Sequence, residues 1–171
     1  DVDINNLNID LNDMERKISK KTKAIMLVHV LGNCPNMKLL IKLKKKYNLI
    51  LIEDTCESLG TKYNGKFLGT FGEFSTYSFY TSHQISSGEG GMISCKSRED
   101  YEIIRSLRSH GWTRDLSIHK KITKQNKHLD EKFIFYNSGY NLRPTEISAV
   151  IASSQFKDLD KFKKTKNFIR N

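Results

Sequence analysis

Ala24–Asp54, AIMLVHVLGNCPNMKLLIKLKKKYNLILIED, is the stretch that decides the fold. Its first segment, Ala24–Leu31, is an unbroken apolar run, the pattern of a strand buried on both faces. Gly32-Asn33-Cys34-Pro35 interrupts it. Asn36–Tyr47 then places Met37, Leu40, Ile41 and Leu43 at helical spacing, and Leu49–Ile52 returns to a strand pattern. Strand, helix and strand within about thirty residues make a βαβ unit, whose strands are parallel and whose crossover is right-handed. The central expectation is therefore an α/β chain, a three-layer αβα arrangement around a mostly parallel sheet.

Outward from this unit the punctuation continues. Thr61–Leu68 carries Asn64-Gly65 between short segments, a hairpin signal. Phe74–Tyr80 and Gly91–Cys95 read as further strands. Ser97-Arg98-Glu99-Asp100 opens a helix with Tyr101, Ile103, Ile104 and Leu107 as its expected buried stripe. Gly111–Lys132 is polar and irregular, an expected exposed loop. Pro144 suits the first position of a helix with Ile147, Val150 and Ile151 inward, and Phe156–Ile169 reads as another helix. No internal repeat or low-complexity tract is visible.

The chain has 171 residues, 37% hydrophobic and 28% charged, enough for one globular core and unlike a disordered composition. The net charge of +10 comes largely from lysines in Lys38–Lys46, Lys120–Lys132 and Lys157–Lys166. These runs contain no arginine and only one aromatic, Phe162, unlike the interleaved pattern of a nucleic-acid groove, so a solvated surface is expected and nucleic acid is not an expected partner. An anionic small substrate would be served equally by the positive field. Cys34, Cys56 and Cys95 are odd in number and form no CxxC pair, which points away from a disulfide framework or zinc site and toward a reducing cytoplasm. No apolar run reaches the length of a membrane span, so no membrane is expected as a partner. The absence of Met at Asp1 and the charged helical pattern running to Asn171 read as cuts through a longer protein.

Chemistry concentrates around Asp54 and His83. Asp54 ends a strand pattern, and ligands of open α/β sheets sit at the carboxyl ends of strands. It can serve as a helix N-cap or as the carboxylate that holds a pyridinium N–H. Glu57 can cap the turn or bond a ring hydroxyl. Ser78 is an ordinary strand serine or a phosphate ligand. His83 lies 29 residues after Asp54, before Gly88-Glu89-Gly90-Gly91, and no Lys or Arg occurs from Phe67 to Cys95. His110, His119 and His128 lack metal spacing, and no metal is expected.

The segments IEDTCESLG, GTFGEFSTYSFY, SHQISSGEGG, LRSHGWTRDL and SGYNLRPTEIS together resemble the DegT–StrS sugar aminotransferase/dehydratase family of type I pyridoxal enzymes, from Ala24 to about Leu159. In most such enzymes a lysine stands where His83 is, and the histidine resembles the family's 3-dehydratase branch. The resemblance implies that residues 1–171 are part of a cofactor-binding large domain, with the N-terminal phosphate loop, a ring-stacking aromatic and the C-terminal small domain absent. It implies a PLP/PMP-dependent 3-dehydratase (a lyase) with half-transamination activity, acting on a 4-keto-6-deoxy sugar nucleotide, GDP-linked, for deoxysugar and O-antigen synthesis.

Glutamate is the implied amino donor. Asp54 would pair with the pyridine nitrogen, Glu57 contact the ring oxygen or its neighbourhood, Ser78 hold the phosphate and His83 act as base. Asn141 would reach the phosphate in a neighbouring subunit, making the enzyme a homodimer. A related branch carries an iron–sulfur cluster on clustered cysteines. Only Cys56 matches a position of that set, while Arg114–Lys124 contains no cysteine, so no cluster is expected. An ordinary sugar aminotransferase, which needs the missing lysine, and a non-catalytic member of the family are the alternatives.

Overall fold

A computed structural model describes residues 1–159. Asp10 caps the first helix, α1 (Leu11–Lys17), by accepting the amides of Asn12 and Asp13. Strand β1 (Ala24–Val28) follows and ends earlier than the apolar run, because Val30–Gly32 turns in a single 3₁₀ step with Leu31 at φ 52°. Helix α2 (Met37–Lys46) starts where Asn36 accepts the Leu39 amide, and three lysines fill its last turn, where they complement the helix dipole. Strand β2 (Ile50–Asp54) pairs with β1 in parallel, Ala24 opposite Ile50 and Val28 opposite Asp54. This is the βαβ unit that the sequence predicts.

Strands β3 (Lys62–Tyr63) and β4 (Lys66–Phe67) form the antiparallel hairpin around Asn64-Gly65, both of which take positive φ. Strand β5 (Phe74–Ser78) pairs in parallel with β2, with Asp54 opposite Thr76. Strand β6 (Gly91–Cys95) completes the sheet order β1-β2-β5-β6. Phe79 donates its amide to the Gly90 carbonyl while Ser75 meets Ser94, so the β5–β6 contacts run in opposite directions. Helices α3 (Arg98–Arg108), α4 (His119–Gln125) and α5 (Glu146–Phe156) follow. The result is the expected α/β architecture with a mostly parallel sheet.

The chain divides into two compact units, Asp1–Ser94 with the segment from Glu146 on, and Cys95–Thr145. In the first, Ile25, Leu27, Leu49 and Leu51 present one face of the sheet to Met37, Leu40 and Leu43 of α2 and to Leu11 of α1. Leu27, Leu40 and Leu51 are fully buried, each contributing about 1.5–3 kcal/mol of apolar burial. The opposite face is open: Met26 is 59% and Val28 46% exposed. The reading of Ala24–Leu31 as a strand buried on both faces is corrected accordingly, since among the described residues helices cover only one side of β1.

Other expectations change too. Tyr101 and Ile103 are exposed, and α3 buries Ser106 instead. Gly111–Lys132 is not a plain loop but holds α4, stabilised by Thr113, whose hydroxyl meets His119 Nδ1 at 2.9 Å. The last described helix begins at Glu146, two residues after Pro144, and its Ile147, Val150 and Ile151 face outward. The helix expected over Phe156–Ile169 lies largely outside the described residues.

Candidate cofactor site

Strand alternation decides which side chains share a face. In the first unit Val28, Asp54 and Thr76 are in register across three parallel strands, so their side chains emerge on the same, open side of the sheet. Ser78 follows two residues after Thr76 and returns to that side. The carboxyl ends of β1, β2 and β5 thus bring an acid and two hydroxyls together, at the place where open α/β sheets bind ligands.

The turn after β2 is built on Asp54 itself. Its Oδ1 accepts the Cys56 amide at 3.0 Å, and its carbonyl accepts the His29 amide at 3.0 Å. One bonded oxygen leaves a carboxylate with capacity for a further donor. Thr55 holds the neighbouring strand through its amide and hydroxyl, both donated to the Thr76 carbonyl. Cys56 lies beside Asp54 and 4.0 Å from the Thr76 hydroxyl; burial, reinforced by the Asp54 carboxylate, pushes its thiol up to about 11.

Glu57 accepts the Leu31 amide at 2.6 Å, holding the left-handed turn after β1. This is the turn-capping role open to it from the sequence. Its backbone carbonyl accepts the side-chain amide of Gln84, which ties the segment carrying His83 to the Asp54–Glu57 turn. His83 is half-buried, donates its amide to Tyr80 at 3.0 Å and rests edge-on against the Tyr80 ring, 6.3 Å between centroids. Ser78 accepts the Tyr80 amide at 3.2 Å, so the serine and histidine segments share one turn.

Asn141 lies in the second unit. It is exposed, and its backbone bridges to Ser109. The same unit contains a cavity of about 140 Å³ lined by Arg105, Trp112, Arg114 and Arg143 among others, with Arg114 stacked 4.1 Å from the Trp112 ring centroid.

Three residues escape a reading of the sequence. Glu53 and His29 form a fully buried pair, and Gln84 makes the tie described above. Glu53 had one visible signal, its place beside Asp54 at a strand end. His29 had another, a polar residue inside an apolar run. Among the described residues no group of three or more His, Cys, Asp or Glu side chains is placed to hold a metal ion.

The first unit thus gathers an acid and two hydroxyls at the carboxyl edge of its sheet, with the His83 segment tied to the turn after β2. The chain belongs to the DegT/DnrJ/EryC1/StrS aminotransferase family, whose model matches residues 1–171. It is similar to the GDP-4-keto-6-deoxy-D-mannose 3-dehydratase of Escherichia coli O55:H7, 42% identical over 164 residues, covering 95% of this chain and 42% of that protein. Among solved structures it matches the E. coli GDP-4-keto-6-deoxy-D-mannose-3-dehydratase with bound hydrated PLP, at TM-score 0.84 and 41% identity, covering 94% of this chain and 42% of the other. A structure of GDP-4-keto-6-deoxymannose-3-dehydratase with a trapped PLP-glutamate geminal diamine matches at TM-score 0.84 and 40% identity, with the same coverage of 94% and 42%. The chain therefore spans about two fifths of the length of these relatives, 42% in each case.

Proposed function

We propose that this chain is part of the cofactor-binding large domain of a PLP/PMP-dependent nucleotide-sugar 3-dehydratase. The reaction would remove the C3 hydroxyl of a GDP-linked 4-keto-6-deoxy sugar in deoxysugar and O-antigen synthesis. The observation that carries this reading is the joint placement of Asp54, Thr76 and Ser78 on the open carboxyl edge of the sheet, with a histidine segment tied to the same turn and no Lys or Arg from Phe67 to Cys95. An aminotransferase built on a lysine anchor has no residue in that window to use.

The donor set suits a pyridoxal group. Asp54 would hold a proton on the ring nitrogen, Glu57 would approach the ring oxygen with the carboxylate oxygen not spent on Leu31, and Ser78 would bind the phosphate. When bound, the cofactor supplies an electron sink and carries the amino group between donor and sugar. His83 takes up and returns the proton whose movement lets the C3 hydroxyl leave as water, work suited to an imidazole whose ordinary pKa is near neutral. Without a lysine, no side chain in this window competes for the cofactor's carbonyl carbon.

The overall balance closes without an external reductant. The sugar exchanges its C3 hydroxyl for hydrogen, while glutamate becomes 2-oxoglutarate and ammonia.

Within the second unit, the arginines that line the cavity suit an anionic group. Asn141 is proposed to serve the cofactor phosphate of a neighbouring subunit, which makes a homodimer with shared sites part of the proposal. The three free cysteines suit a reducing cytoplasm, and no helix among the described residues is long and apolar enough to cross a membrane. The direct test is to incubate the full-length polypeptide with PLP, glutamate and GDP-4-keto-6-deoxymannose and read products by mass. A 3-deoxy sugar nucleotide with ammonia supports the reading; a 4-amino sugar would make the protein an aminotransferase.

A further inference from the structure

Glu53 and Asp54 are consecutive, so the strand sends them to opposite faces of the sheet. Asp54 takes the open face, and Glu53 is driven into the interior with no exposed surface. A carboxylate cannot be left there unpaired. Its Oε2 accepts the Gly69 amide at 2.9 Å and meets His29 Nε2 at 2.9 Å, while Oε1 accepts the amides of Phe71 at 2.7 Å and Gly72 at 2.6 Å. Burial raises the pKa of this group, but the His29 bond and the glycine amides outweigh it and hold the carboxyl below its ordinary value.

The sequence makes room for this arrangement. A Cβ on Gly72 would meet the Leu51 carbonyl oxygen at 2.5 Å, so only glycine lets this backbone close on the acid. His29 Nδ1 is buried with no hydrogen-bond partner among the described residues. An ionised carboxylate only accepts, so the ring nitrogen that meets Glu53, Nε2, is the donor of the pair.

One carboxylate therefore joins three separate places in the chain: the residue after β1, the end of β2 and the loop that feeds β5. On the opposite face these same strand ends carry Val28, Asp54 and Thr76 in register, with Ser78 just beyond. We infer that Glu53 is a positioning residue of the cofactor site, setting the spacing of Asp54 and Ser78 through the loop Gly69–Gly72 and His29. The inference rests on the reading of Asp54 and Ser78 as cofactor contacts.

The test uses the full-length polypeptide and PLP titrated by absorbance, with Asp54→Ala and Glu53→Gln measured beside wild type. Glutamine matches the shape of Glu53 but turns one acceptor oxygen into a donor facing backbone N–H groups. Glu53→Gln should weaken PLP binding by about 10- to 100-fold, the scale of losing a charged buried hydrogen-bond partner, at temperatures where circular dichroism reports a folded protein. If Asp54→Ala weakens PLP binding while Glu53→Gln stays within about twofold of wild type, a negligible change on the free-energy scale, the positioning role is overturned and the cofactor reading stands. If Asp54→Ala binds as wild type, the cofactor reading itself fails.

Should Glu53→Gln not fold, hydrogen exchange on wild type decides. Coupling is reciprocal, so PLP must slow exchange of the Gly69, Phe71 and Gly72 amides by more than the general slowing that ligand binding gives core amides such as those of Leu27 and Leu40. A brace serving only the fold predicts that these three amides slow no more than the core amides do, and that result overturns the inference.

Discussion

Replacing Glu57 separates two jobs that the same carboxylate can do. In the structure it accepts the Leu31 amide at 2.6 Å, and Leu31 sits at φ 52°, a conformation that costs a branched aliphatic residue about 1–2 kcal/mol and needs an outside partner. A hydrogen bond to a charged acceptor is worth about 1.5–3 kcal/mol when buried; this one is solvent-exposed, so about 1 kcal/mol is the appropriate figure. Glu57→Ala should therefore lower stability by about 1 kcal/mol and the melting temperature by about 2 °C in a protein of the relatives' length. Glu57→Gln keeps an oxygen for Leu31 and should melt near wild type. If the remaining oxygen faces the cofactor ring, Glu57→Gln should still weaken PLP by about tenfold, or 1.4 kcal/mol. Differential scanning calorimetry and PLP titration on both variants are the assays. An unchanged melting temperature for Glu57→Ala would refute the capping role, and wild-type PLP affinity in Glu57→Gln would refute the ring contact.

Further outcomes are expected. Leu51→Ala empties the centre of the packed sheet face and should cost about 2–5 kcal/mol by urea denaturation, whereas truncating Met26 on the open face should cost less than half as much in the same assay. Because burial and Asp54 raise the Cys56 thiol to about 11, iodoacetamide should label Cys56 slowly at pH 7 and about tenfold faster per unit as pH rises, with Asp54→Asn accelerating the reaction; rapid labelling at pH 7 in mass-mapped peptides would contradict that environment. If sites are shared between subunits, mixing inactive Asn141→Ala and His83→Ala proteins under subunit exchange should restore activity, and no recovery would count against sharing.

The parts of the fold legible in the sequence are those where packing and periodicity agree. Met37, Leu40 and Leu43 fall on one helical face, and that face is buried. Asn64-Gly65 is the hairpin turn for the reason its backbone requires, positive φ at both positions. The failures have physical causes. Ile147 and Val150 are apolar and helical, yet exposed, because hydrophobic pattern marks a surface fit for burial without naming what covers it. Helix α4 was hidden by the polarity of HKKITKQ, whose order depends on Thr113 reaching His119 rather than on an apolar stripe. At the site, Asp54 was visible as a strand-end acid. Glu53 shares that strand end, but its buried role is not legible there, because a buried carboxylate is justified only by donors from Gly69, Phe71 and Gly72, which nothing local in the sequence brings to it.

The measurement that bears most directly on the proposed chemistry is the rate at which a His83→Asn variant of the full-length polypeptide forms the 3-deoxy sugar nucleotide. PLP, glutamate and GDP-4-keto-6-deoxymannose are supplied at saturation. Asp54 and Ser78 are untouched by the substitution, so cofactor affinity should stay near wild type. Loss of general-base catalysis should lower the rate by about 10²–10⁴-fold or more. A variant that binds PLP and dehydrates the sugar at the wild-type rate would contradict the assignment of His83 as the base.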